Sequence, residues 1–321
     1  MRNRVSSSLA WATIATAAAA LAACGGGSGG GDSGPSTSRV KLSITDAPVD
    51  TADEVWIQFR AVEFKKLNEE PVRVELRDSS NNPAPRSINL LPLQGGQSAV
   101  LLDGVVLEAG DYEWARLIVD NEPNVRDSYV MVEGRECELR IPSGDESGLK
   151  MQGGFSLPAD GSAAFTVDFD LRKSLRAPPG QKGMTPDCTQ AYLMKPVLRM
   201  VRDSQAGGIT GTVSADLIGP DPLACARMVY LYADAADAEP GSTSPFDYDG
   251  ADPDPVQMVK ADAISGFYAA AFLPAGKYTV AFTCDEDDLE ASDTLNFTAT
   301  RGATVQANLL TTGVDLPAPA P

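Results

Sequence analysis

Histidine is missing from this chain of 321 residues, and that one absence removes a large part of enzyme chemistry. Without an imidazole there can be no Ser-His-Asp or Cys-His nucleophile pair, no H-E-x-x-H zinc site and no histidine general base. A catalytic site would have to run on carboxylates, lysine, tyrosine or a bound ion. Cysteines number only five, and no C-x-x-C spacing occurs, which argues against a redox pair or a thiolate metal site. Basic residues are scarce beside acidic ones, 26 against 44, for a net charge of −18. That excess repels nucleic acid and anionic lipid headgroups, so charged partners would be cations or basic surfaces. Tryptophan is rare too. Trp56 and Trp114 fall in strand patterns and form no aromatic row of the kind a glycan binder would present. The longest charge-free apolar stretch, 9–23, is about 15 residues and too short to span a bilayer comfortably.

That stretch follows Arg2 and Arg4 and reads as the core of a signal peptide over residues 1–23. Leu21-Ala22-Ala23-Cys24 then resembles the bacterial lipoprotein motif, which implies a lipidated Cys24 as first residue of the mature chain and a membrane partner reached without spanning. Gly25 in place of an aspartate points to the outer membrane. Loss of the two arginines leaves 24 basic against 44 acidic residues, a net of −20.

With Cys24 lipidated, Cys137, Cys188, Cys225 and Cys284 remain, and in an oxidising compartment they can pair in three ways. Residues 24–38 form a Gly/Ser tether with a reach of roughly 20 Å, a second break falls at 203–208, and a Pro/Ala tail occupies 314–321. Two bodies result, 39–203 and 208–313. If the chain divides there, the bridges within bodies are Cys137–Cys188 and Cys225–Cys284, each contributing ~4 kcal/mol in the chain-entropy model.

Period-two alternation marks both bodies as β. It runs through Val40-Lys41-Leu42-Ser43-Ile44, Val55-Trp56-Ile57-Gln58-Phe59, Val72 to Leu76 and Phe165 to Phe169, then Met228 to Tyr232, Tyr278 to Phe282 and Leu295-Asn296-Phe297. Turn residues interrupt these runs, and no helical periodicity persists for three turns. The expected fold is all-β: two antiparallel β-sandwich domains of Ig-like or transthyretin-like type. A shared pattern, L-x-A-G-x-Y, occurs at 107–112 and 273–278 and predicts a tight turn into a strand, with the tyrosine hydroxyl reaching backbone at the corner.

The stretch 39–201 resembles the bacterial domain-of-unknown-function family numbered 4382. The likeness runs through Ser43 to Pro48, Ile88 to Leu93, Leu107 to Tyr112, Ile141 to Gly144, Asp168-Phe169-Asp170 and Leu193 to Leu198. It implies a fold and an exported setting, with no catalytic residues to carry over. The second body is similar to carboxypeptidase-regulatory-like and transthyretin-like sandwiches through 208–213, Asp262 to Tyr268 and Leu273 to Val280. Related sandwiches include starch-binding modules, so a glycan partner is an analogy from fold.

Three constellations could carry chemistry. Asp247, Asp249, Asp252 and Asp254 gather oxygen ligands suited to a low-affinity calcium site, the only cofactor the chain implies; a solvated acidic loop is the alternative. Asp285 to Asp288, beside Cys284, reads as a charged exposed loop. Asp168 and Asp170, near Lys173, with Asp46 and Lys150 in the same family-like positions, form either a carboxylate pair able to act on glycosides or a structural ion pair. The resulting expectation is a lipid-anchored, non-enzymatic envelope protein that binds an envelope protein or glycan; a glycan-binding module and a carboxylate-dependent polysaccharide-active enzyme are the alternatives.

Overall fold

A computed structural model describes residues 35–46, 52–120, 125, 127–142, 148–151, 153–178, 188–245, 254–285 and 295–318. By contacts the chain divides into Met1–Gly34, which lies outside the described residues together with Cys24, and Pro35–Pro321.

The described chain is all-β. In chain order the strands are β1 (Thr37–Asp46), β2 (Glu54–Lys66), β3 (Val72–Glu75), β4 (Arg86–Asn89), β5 (Ala99–Glu108), β6 (Gly110–Val119), β7 (Tyr129–Val132), β8 (Arg135–Arg140), β9 (Leu149–Met151), β10 (Phe155–Leu157), β11 (Gly161–Phe169), β12 (Leu175–Arg176), β13 (Tyr192–Met194) and β14 (Leu198–Arg202). They continue with β15 (Ala206–Thr212), β16 (Met228–Ala233), β17 (Gln257–Lys260), β18 (Phe267–Pro274), β19 (Gly276–Thr283), β20 (Ala299–Val305) and β21 (Leu310–Thr311). Two single-turn helices, α1 (Leu171–Ser174) and α2 (Ala215–Ile218), complete the elements used below.

In the first body a four-stranded sheet, ordered β14-β11-β1-β5, faces a ten-stranded one whose path is β10-β6-β2-β7-β8-β13-β12. Alternation places Val40, Leu42 and Ile44 of β1 and Phe165, Val167 and Phe169 of β11 between the sheets, against Val55, Ile57 and Phe59 of β2. Phe59 meets Phe169 edge-on at 6.1 Å. Burying each such side chain contributes roughly 2 kcal/mol. Pairing is mostly antiparallel, yet β1 with β11, β8 with β13 and β15 with β21 run parallel. Parallel pairing needs a long crossover, and β11 returns beside β1 only after β2 to β4 and β6 to β10 have built most of the opposite sheet.

The second body packs β18-β15-β21 onto β17-β16-β19-β20 around Ile209, Val229, Leu231, Tyr268, Val280 and Phe282. Its larger sheet also buries its other face, where Met228, Tyr230, Tyr232 and Met258 form a separate cluster. Leu295-Asn296-Phe297, expected as a strand, is not one; Phe297 instead sets its ring edge-on to Tyr230 at 5.3 Å and helps to cover that face. The body also reaches past Gly313. Val314 and Leu316 are buried in the core, Tyr268 donates to the Val314 carbonyl, and the Leu316 N–H donates to Thr212 O at 2.8 Å, so the tail assigned to 314–321 begins too early. Between the bodies, Asp203–Gln205 is a single 3-10 turn leading directly into β15.

Disulfides join Cys137 to Cys188 and Cys225 to Cys284. Both L-x-A-G-x-Y corners close alike: Tyr112 Oη donates to Glu108 O at 2.9 Å, and Tyr278 Oη to Pro274 O at 2.7 Å.

Candidate functional site

The outer face of β1 and β11 changes character along its length. Near its start Arg39 and Lys41 are exposed, whereas Ser43, Thr45, Thr166 and Asp168 are buried. Short polar side chains replace long charged ones where the face is covered. Thr45 Oγ1 donates to Leu93 O and Gln97 O at 2.8 Å, and Thr166 Oγ1 to Asp203 Oδ1 at 2.9 Å. Gly96 lies so close to Ala271 of β18 that an added Cβ would stand 3.3 Å from the alanine's. The two bodies therefore meet over these strand ends.

Asp168, 5% exposed, is the buried carboxylate of this junction. The β11–β14 register sets Arg199 opposite it, and Arg199 Nη2 donates to Asp168 Oδ2 at 2.6 Å. Burial pushes its pKa above the ordinary 3.8, the pull of Arg199 and Lys173 notwithstanding. Asp170 ends the strand and opens α1. Its side chain accepts the Lys173 N–H at 3.1 Å, and burial raises its pKa likewise. Lys173 Nζ lies 3.4 Å from Asp170 Oδ2, donates to Pro255 O at 3.1 Å and stands 3.7 Å from Asp254 Oδ2, reaching from the first body to the second.

Of the expected polar cluster, Asp168, Asp170 and Lys173 come together. Asp46 does not join them. It pairs in register with Phe169 and so lies on the opposite face of the sheet from Asp168, with its own N–H donating to Leu93 O at 3.0 Å. Lys150 is on the other sheet, on β9, with Nζ 5.0 Å from the Trp114 ring centroid. Asp247, Asp249 and Asp252 lie outside the described residues, as do Glu286 to Asp288. Among the described residues no group of three metal-binding side chains converges. Sequence reasoning missed Arg199. The two arginines in five residues along Leu198 to Arg202 were not set against the acids of β11, because that pairing depends on register.

One comparison bears on the first body. Residues 37–196 match the family model described as Domain of unknown function (DUF4382). The match takes in β1 to β13, hence Asp168, Asp170 and Lys173, and stops before Arg199. No curated protein matches the chain. Among solved structures, the TIE protein of Bacillus anthracis overlaps 87% of this chain at 12% identity and a TM-score of 0.21. This chain spans 34% of that protein's length. The minor pilin GBS52 of Streptococcus agalactiae overlaps 88% of this chain and 97% of its own, at 10% identity and a TM-score of 0.19. The major pilin of Streptococcus pyogenes overlaps 88% and 96%, at 12% identity and a TM-score of 0.14.

Proposed function

We propose that the chain is a lipid-tethered module of the bacterial envelope that binds or assembles without catalysing a reaction. The observation that carries this reading is the engagement of the carboxylates best placed for acid–base work. A glycosidase pair must flank an open site with its carboxyl groups ~5 to 9.5 Å apart. Asp168 is buried against Arg199, and Asp170 caps α1 beside Lys173, so both serve the junction of the two bodies. The two disulfides, one in each body, favour an oxidising, extracytoplasmic setting. The lipobox supplies the anchor and Gly25 the outer-membrane address.

Metabolic labelling with a palmitate analogue tests the tether. The parent chain is expected to take up label and to sediment with membranes, and Cys24→Ser to do neither. An unlabelled parent, or label that persists in Cys24→Ser, contradicts the anchoring.

A further inference from the structure

The first sandwich is open along the side where β10 and β14 form the edges of its two sheets. A cavity of about 550 Å³ lies there, inside the range of small-molecule sites. Its exposed lining is mostly polar, from Ser156, Arg202, Ser204 and Gln205, with half-buried Phe155 and Met200 as its apolar part and Phe165 buried behind them. The apolar part is held from behind. Tyr112 stacks on Phe155 at 5.0 Å with 11° between the rings, and Phe165 meets Phe155 at 5.1 Å and 64°. Gly154 lets this edge sit close, since an added Cβ would come within 2.9 Å of Tyr112 O.

Arg202 is the anomaly of this cavity. It pairs in register with Phe165, so it occupies the core-facing row of β14 that also holds Leu198 and Met200. Its guanidinium lies 5.0 Å from the Phe165 ring centroid and donates to Ser156 O across the opening. Among the described residues it has no carboxylate partner, in a chain where 44 acidic residues outnumber 26 basic ones. Arg199, three positions earlier, is ion-paired. An arginine beside a small apolar patch, with no carboxylate partner among the described residues, complements one anionic group attached to a small apolar body.

We propose that this cavity binds a small amphiphilic monoanion, its apolar part against Phe155 and Met200 and its carboxylate, sulfonate or phosphate head on Arg202. The Ser204 hydroxyl and Gln205 amide at the rim can donate to the same head. The net negative chain repels anions at long range, so affinity depends on this one guanidinium and falls as salt rises.

The test uses the full chain carrying Cys24→Ser, which keeps acyl chains and detergent out of the assay, and two probes of nearly the same shape. One is 1-anilinonaphthalene-8-sulfonate and the other its uncharged analogue N-phenyl-1-naphthylamine, both titrated by fluorescence against natively folded protein. Saturable binding of the sulfonate at one site is expected. Arg202→Gln should weaken it at least about tenfold, the effect of a lost charge-assisted contact, and leave the neutral probe unchanged. Ser204→Trp, an exposed rim substitution that does not touch the core, should weaken both probes and keeps the test open if Arg202→Gln fails to fold. Sulfonate affinity unaltered in Arg202→Gln, parallel loss of both probes in that variant, or full binding by Ser204→Trp overturns the proposal.

Discussion

Asp168 and Asp234 are aspartates at strand ends in the two bodies, and their surroundings drive them in opposite directions. Asp168 is buried at the junction with Arg199 as its close partner, and desolvation prevails, so its pKa lies above 3.8. Asp234 is half-buried. Burial raises its pKa too, but donors from Thr243, Thr279 and the Gly241 N–H outweigh that and hold it below 3.8. Their distances are short: Gly241 N–H at 2.7 Å, Thr243 N–H at 2.9 Å and Thr279 Oγ1 at 2.7 Å. Several fixed neutral donors at a surface loop thus keep a carboxylate charged more effectively than one guanidinium does on a dry face.

The two cases predict opposite pH behaviour. For Asp168 and Asp170 the folded pKa exceeds the unfolded one, so the folded state binds the proton more tightly. Their contribution to stability falls as pH rises from 3.8 through the folded value. For Asp234 the folded value is the lower one; its contribution is complete above 3.8 and is lost as pH drops below it.

The largest effect expected is at the junction. Arg199→Met leaves Asp168 buried without its close partner and should cost about 3–5 kcal/mol near neutral pH, measured by denaturant unfolding. The loss should shrink as acid protonates Asp168. A loss independent of pH would dissolve the contrast with Asp234. Next comes Asp234→Ala, which strands donors around Gly241 and Thr243 and should cost about 2 kcal/mol. It should also flatten the fall in melting temperature below pH 4, the acid limb that the parent owes partly to this residue. Smallest are Tyr112→Phe and Tyr278→Phe, each removing one hydroxyl bond at matching corners for about 1 kcal/mol. Equal losses would show that the two bodies use the device equivalently, and unequal ones would separate them by burial.

Much of this fold was legible because its signals are local. Alternation located β1, β2, β11, β16 and β19, and glycine followed by tyrosine located both corners. What sequence reading missed depends on distant partners. Met228, Tyr230 and Tyr232 belong to an alternating strand whose second face should meet water, yet an aromatic cover that includes Phe297 buries it. Val314 and Leu316 lie in a Pro/Ala-rich stretch and gain their place through Thr210, Thr212, Ser214 and Tyr268, all distant in sequence. At the junction the acids were visible and the partner was not. Asp168 meets Arg199 through the antiparallel register of β11 and β14, and Asp46 separates from Asp168 because adjacent positions on parallel partners face opposite ways. The three carboxylates share a neighbourhood in sequence pattern, but the pleat divides them.

The account rests on Asp168 and Arg199 acting as a coupled pair within the first body, on the face that meets the second, and a double-mutant cycle measures that directly. Denaturant unfolding of the parent, Asp168→Asn, Arg199→Met and the double variant yields the coupling free energy of the pair. A favourable coupling of about 2 kcal/mol is predicted, with Arg199→Met less stable than the parent and the double variant losing less than the sum of the single changes. Zero coupling would contradict it, since Asp168 and Arg199 would then contribute independently of one another.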